Sequence, residues 1–69
     1  MSGYDVLRKR RLNATARYVA TKKHGIAYEE LIGWLMAEFG LTEKKSREYI
    51  KVLGWTNQLK TEKGKVFAL

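Results

Sequence analysis

The sequence contains no cysteine and no proline, and its only histidine is His24. Without cysteine the chain has no disulfide, and with one histidine it lacks the residues of a usual zinc site. Folding of so small a domain buries only about 60% of the surface that the unfolded chain exposes. We therefore expect stability to come from a hydrophobic core, alone or completed by a second copy of the chain.

Catalytic motifs are also missing. His24 and Asp5, the only histidine and the only aspartate, lie far apart in sequence, and no glycine-rich phosphate-binding loop occurs. We expect no enzyme activity, metal, cofactor or small-molecule ligand. No stretch approaches the ~20 apolar residues of a membrane span, and the basic segment through Arg11 precedes no apolar run of signal-peptide length. The expected location is the cytoplasm, with nucleoid association in a prokaryote and no membrane partner.

Acidic residues are outnumbered, since seven Asp and Glu face fourteen Lys and Arg, for a net charge of +7. A small basic domain favours a nucleic-acid partner, because phosphate neutralisation releases counterions, although anionic lipid or an acidic protein also suits a basic surface. The charge is unevenly distributed: residues 1–25 carry +6, residues 26–41 carry −3 and residues 42–69 carry +4.

A first helix is predicted over residues 5–23, with Ser2 spaced to cap its start and Gly25 to stop its end. One face of this helix has the three- and four-residue spacing of buried positions, at Leu12, Thr15, Ala16 and Val19. A weaker stripe beside it is expected to join two copies of the chain in a homodimer, through Leu7, Ala14 and Tyr18.

Two further helices are predicted over residues 28–39 and 43–53. The first is apolar over a wide arc, which is typical of a central helix. Gly40 permits a sharp reversal after it, Thr42 caps the next helix, and Gly54 is expected to end that helix. The predicted buried face of the last helix consists of Ser46, Tyr49, Ile50 and Leu53.

Residues 56–69 are predicted to form a β-hairpin that packs against the helices. The preferred loop has three residues, 62–64, which pairs Leu59 with Phe67 and places both on one face with Leu69. A two-residue turn would divide these apolar residues between the two faces of the hairpin. Trp55 and Phe67 are expected to be core residues.

Two helices joined by a short glycine-containing turn form a helix-turn-helix. The stretch IAYEELIGWLMAEFGLTEKKSREYIKVLGWTNQLKTEKGKVFAL, residues 26–69, resembles the winged helix-turn-helix family in its tight Gly-Leu-Thr turn, recognition helix and Gly-tipped hairpin. The resemblance implies one α+β, mainly α domain over residues 1–69, with three helices and a C-terminal wing. Some members of the family extend the recognition helix by a turn, which leaves the start of the wing open. In size and Lys/Glu-rich composition, the chain also resembles small regulators and chromatin-associated proteins of archaea and their viruses.

The resemblance implies binding of double-stranded DNA, with the recognition helix in the major groove and the wing on the backbone or in the minor groove. Arg47 is the candidate for a bidentate contact to guanine, and Glu48 either accepts from a cytosine amino group or pairs with Lys44. The candidate phosphate contacts are Lys44, Lys45, Lys51, Lys60, Lys63, Lys65, Arg10 and Arg17. The alternative for the helix residues is an ordinary solvated face, and the hairpin lysines would then protect an exposed strand edge from aggregation.

Two functions stay open at this point. The first is DNA binding, as a transcriptional regulator or chromatin-associated protein. The second is a winged-helix protein-interaction module in a replication, transcription or ribosomal assembly, which would use the acidic second helix or the Leu7, Ala14 and Tyr18 stripe. An RNA or single-strand reader is disfavoured, because base stacking needs exposed aromatic residues.

Overall fold

A computed structural model describes the backbone of residues 3–69 and the side chains from Val6 onwards. This part of the chain forms, in order, α1 (Gly3–Ala20), β1 (Ile26–Ala27), α2 (Tyr28–Phe39), α3 (Glu43–Trp55), β2 (Leu59–Glu62) and β3 (Lys65–Ala68). The strands make one antiparallel sheet in the order β1-β3-β2. The fold is therefore α+β and mainly α, with the layout of a winged helix, as the sequence predicted.

The turn between α2 and α3 forms where it was predicted. Gly40 ends α2 in the left-handed conformation, at φ 65°, and Thr42 caps α3 by accepting a hydrogen bond from the backbone N–H of Lys45 at 3.1 Å. The Ser46 hydroxyl donates to the Thr42 carbonyl at 2.9 Å. Because the turn and cap satisfy groups left unpaired at the helix ends, this local chemistry sets the point where α3 begins.

The core lies between the three helices and the inner face of the sheet. The predicted buried residues of α1 contribute to this core, and Thr15 and Val19 among them are fully buried. All four residues of the predicted buried face of α3 are buried as well. The buried apolar residues are Val19, Ile26, Leu31, Ile32, Leu35, Tyr49, Ile50, Leu53, Leu59 and Val66. This packing directs the opposite face of α3 towards solvent.

The boundaries of α1 differ from the prediction, since the helix begins at Gly3 and ends at Ala20; Ser2 lies outside the described residues. Turns replace its predicted last residues: the Lys22 N–H donates to the Val19 carbonyl at 2.9 Å, and the Gly25 N–H to the Lys22 carbonyl at 3.0 Å. The chain leaves the helix early because Ile26 pairs with Val66 in the sheet.

The predicted loop and register of the hairpin are wrong. Leu59 pairs with Ala68, and Glu62 pairs with Lys65 across a two-residue turn. Lys63 and Gly64 have φ of 50° and 77°, as a type I′ turn requires. Val66, fully buried, joins Leu59 on the inner face. Phe67 lies on the other face, where it packs against Gly25, so apolar residues on both faces find partners.

The end of α3 also differs from the prediction, because the helix passes through Gly54 to Trp55. Asn57 has a φ of 60° and takes the terminating role. Its N–H donates to the Gly54 carbonyl at 3.2 Å, while the Gln58 N–H donates to the Leu53 carbonyl at 2.9 Å. This pair of bonds is a Schellman motif. The wing therefore starts at Leu59, and α3 gains positions on its outward face.

Gly33, in the middle of α2, offers a stability test. A Cβ atom there would meet nothing within 4 Å, and glycine in a helix interior costs roughly 0.5–1 kcal/mol relative to alanine. We expect Gly33→Ala to raise the free energy of unfolding by about that amount in urea denaturation. As a matched control, Gly40→Ala should lower it, because Gly40 has a φ of 65°. A Gly33→Ala variant no more stable than the wild type would contradict this account.

Candidate nucleic-acid interface

Five of the ten residues that the sequence singled out lie on α3. Lys44, Arg47 and Lys51 are exposed, while Lys45 and Glu48 are half-buried. The extended helix adds Trp55 to this face, four residues after Lys51. Residues at this three- and four-residue spacing follow one another along a helix, so α3 presents a basic row that ends in an aromatic ring.

Two ion pairs lie along α3. Arg47 Nη2 lies 3.6 Å from Glu43 Oε2, with both side chains about half exposed or more, and Lys45 Nζ lies 3.4 Å from Glu48 Oε2. Glu48 thus pairs with Lys45 and not with Lys44, the pairing considered from the sequence. Such exposed pairs contribute about 0–1 kcal/mol, so an incoming phosphate or base can replace them at little cost. Among the described residues, Lys44 and Lys51 form no ion pair.

An open groove of about 720 Å³ separates α3 from β2, and we call it the α3–β2 groove. Lys44, Arg47, Lys51 and Trp55 line its helix side. Its other side contains Tyr28, Asn57, Leu59, Lys60, Thr61 and Leu69. Four basic side chains and a single acidic one, Glu48, border the groove. Its chemistry suits an anion, since little negative charge opposes one inside it.

Cations lie over aromatic rings at two places in this groove. Lys51 Nζ is 5.5 Å from the centroid of the Trp55 ring, and Arg47 Cζ is 5.9 Å from that of Tyr28. Both distances are within the range of cation–π attraction. The groove therefore combines positive charge with flat apolar surface.

The lysines of the hairpin lie at different positions relative to this groove. Lys60 lines it and also pairs with Glu62, Nζ to Oε2, at 3.3 Å. Lys63 occupies the turn at the hairpin tip, and Lys65 lies on the central strand β3 between Ala27 and Glu62. All three side chains are exposed. The hairpin thus presents positive charge at the edge beside α3 and at its tip.

The two arginines predicted on α1 differ in their relation to the groove. Arg17 lines a shallow depression together with Asn57 and Leu69, two residues that also line the α3–β2 groove. The depression that Arg17 lines is therefore adjacent to the groove, although Arg17 itself does not line the groove. Arg10 is exposed and lies seven residues towards the N-terminus, about 10 Å away along the helix axis, and it lines neither surface.

Trp55 departs from its expected role. Trp55 is 72% exposed rather than part of the core, because α3 continues past Gly54. If the predicted helix had extended to residue 55, the spacing of Lys44, Arg47 and Lys51 would have placed Trp55 on the same face.

Tyr18 stacks on Trp34, with centroids 4.1 Å apart and planes 5° from parallel. Its ring is thus used within the chain, and the predicted homodimer stays a prediction for sedimentation equilibrium to check.

No protein-family model, characterised protein or solved structure matches this chain. Among the side chains that the structure describes, from Val6 onwards, no three acidic or histidine side chains are arranged to hold a metal ion. None of the described helices combines the length and apolar content that crossing a bilayer requires. The class that the fold defines is a small domain of winged-helix layout, and its most distinctive surface is the α3–β2 groove.

Proposed function

We propose that this protein binds double-stranded DNA, as a transcriptional regulator or chromatin-associated protein of the winged helix-turn-helix family. The observation that carries the proposal is the row of exposed basic residues on α3 beside a hairpin that also carries lysines. The glutamates of α2, which are Glu29, Glu30 and Glu38, line no part of the α3–β2 groove. Positive charge is therefore concentrated where a helix-turn-helix meets its duplex.

The basic residues in and beside the α3–β2 groove and on the hairpin have proposed roles in this complex. The major groove of B-DNA admits one α-helix, and the outward face of α3 would enter it with Arg47 directed to a guanine edge. Lys44 and Lys51 would contact phosphates on either side, and Arg17 would reach a phosphate at the border of the groove. The hairpin would follow the backbone or the minor groove with Lys60, Lys63 and Lys65. Lys45 and Glu48 neutralise each other in the free protein.

A salt titration tests this proposal. With about four to six phosphates contacted, log affinity should fall linearly with log salt, at a slope of about −0.9 per phosphate. Between 50 and 200 mM NaCl the affinity for a random-sequence duplex should then drop by about 100- to 2,000-fold. Fluorescence anisotropy with a labelled duplex, with and without unlabelled competitor, would measure both the slope and any sequence preference.

The same titration distinguishes the alternative function. No duplex binding at 50 mM salt would overturn the DNA-binding proposal. Binding of a partner protein with an affinity that does not depend on salt would instead favour the interaction module. The surface of that module would be the exposed acidic side of α2. Met36, 40% exposed, is the large apolar residue on that side. An affinity for duplex that does not change with salt concentration would contradict the phosphate contacts assigned above.

A further inference from the structure

We propose that the α3–β2 groove holds an unpaired nucleobase stacked on Trp55, so that the protein prefers DNA in which a single strand adjoins a duplex. The proposal rests on the proposed function, because it takes DNA as the partner and keeps the N-terminal half of α3 in the duplex. It assigns Trp55 the stacking surface and Lys51 the neighbouring phosphate. Three observations carry it: the exposure of Trp55, the charge of the groove, and the distance between the two ends of α3.

The exposure of Trp55 is unusual within this chain. Every other aromatic side chain from Val6 onwards is buried or half-buried, whereas Trp55 is 72% exposed. The ring makes no contribution to the core, and Lys51 approaches it from its own helix. A single exposed apolar residue needs no explanation by itself, but Trp55 lines a groove together with four basic side chains, and it is this combination that points to a partner.

Charge complementarity selects the kind of partner. An uncharged protein segment in the groove would leave Lys44 and Lys51, which form no ion pair among the described residues, without counterions. A nucleotide supplies both requirements, since its base has a flat π-face for Trp55 and its phosphate has negative charge for Lys51. Aromatic rings interleaved with basic side chains are the arrangement that binds single-stranded nucleic acid.

An unpaired base is required because of how a duplex is built. Inside a continuous duplex, each base is covered on both faces by its neighbours, so an indole ring cannot stack on it without unstacking a step, which costs a few kcal/mol. A base in a single-stranded overhang or gap has a free face. Stacking on Trp55 therefore favours the interrupted duplex over the continuous one.

The length of α3 allows both contacts at once. Eleven residues separate Lys44 from Trp55, which is about 16 Å along the helix axis. The N-terminal half of α3, with Arg47, would thus occupy the groove of the duplex. Trp55, at the other end, would lie where the duplex gives way to the single strand.

Binding to three DNA molecules tests this inference: a continuous duplex, the same duplex with a short single-stranded overhang, and the single strand alone. Base–aromatic stacking predicts about 5- to 100-fold tighter binding of the overhang duplex than of the continuous one. Trp55→Leu should bring this ratio close to one, while Trp55→Phe retains part of it. Because Trp55 is exposed, both variants should keep the circular dichroism spectrum of the wild type.

Tryptophan fluorescence provides a second measurement. In a Trp34→Phe variant, Trp55 is the remaining tryptophan, and the aromatic contact with Tyr18 is kept. Stacking of a base should quench its emission on addition of the overhang duplex, and much less with the continuous duplex. Equal quenching by the two molecules would contradict a stacked unpaired base.

The outcomes separate this inference from the proposed function. Equal affinity of the wild type for the first two molecules, or an unchanged ratio in Trp55→Leu, overturns the Trp55 site and leaves duplex binding standing. Binding of the single strand but not of the duplex, lost in Trp55→Leu, overturns the duplex proposal and with it the preference for a junction, although it keeps base stacking on Trp55. Failure to bind any of the three overturns both.

Discussion

Replacement of both Arg47 and Lys51 by alanine is expected to weaken binding to duplex DNA by about 10- to 1,000-fold. A bidentate contact to a base contributes about 1–3 kcal/mol, and each lost phosphate contact also lowers the affinity and flattens the salt dependence by about one unit of slope. Both side chains are exposed, and the Arg47–Glu43 pair adds little stability. The fold should therefore survive. Anisotropy titrations at two salt concentrations would give both the affinity and the slope.

A charge-matched variant serves as the control for this experiment. Lys9 and Lys23 are exposed and line neither surface depression described above. Lys9→Ala combined with Lys23→Ala removes the same net charge, so it should lower the affinity only through the long-range field of the protein. If both double variants lose affinity equally, binding follows net charge alone and α3 has no special role. If neither loses affinity, the duplex binds elsewhere on the molecule.

The second large effect is expected at Gly25, where alanine should lower the free energy of unfolding by about 2–5 kcal/mol. Gly25 has a φ of +81°, and a Cβ there would lie 2.6 Å from Phe67 Cε1 and 3.0 Å from the Val66 carbonyl oxygen. Left-handed backbone costs an alanine about 1–2 kcal/mol, and forcing an extra group into packed surroundings costs about 1–3 kcal/mol more. A chain of this length has a total stability of roughly 3–10 kcal/mol, so the variant should lose a large part of its stability.

Gly64 provides a matched comparison for Gly25. Its φ of +77° is similar, but a Cβ there would meet nothing within 4 Å. Gly64→Ala should therefore cost only the backbone strain, about 1–2 kcal/mol. Urea denaturation of the two variants separates the steric contribution from the conformational one. Equal losses at Gly25 and Gly64 would mean that Phe67 moves aside freely, and that its packing does not hold the β1–β3 pairing.

The helical part of this fold follows from local patterns in the chain. The spacing of Ser46, Tyr49, Ile50 and Leu53 predicts which side of α3 is buried, and therefore which side carries Arg47 and Lys51. Gly40 and Thr42 set the turn, because their conformation and capping act on groups within three residues of themselves. Most of the candidate interface could thus be placed from the sequence, since each helical face depends on residues three and four positions apart.

The sheet and the end of α3 depend on contacts between distant parts of the chain. The two-residue strand β1 is too short for a periodic pattern, and it exists because Ile26 meets Val66, forty residues later. The same pairing ends α1 early, buries Val66 and turns Phe67 towards Gly25, which reverses the faces expected for β3. Asn57, rather than Gly54, stops α3, and this exposes Trp55. Strand register and helix ends depend on contacts with residues that are distant in sequence. Those contacts exist only in the folded chain, so local patterns do not predict them.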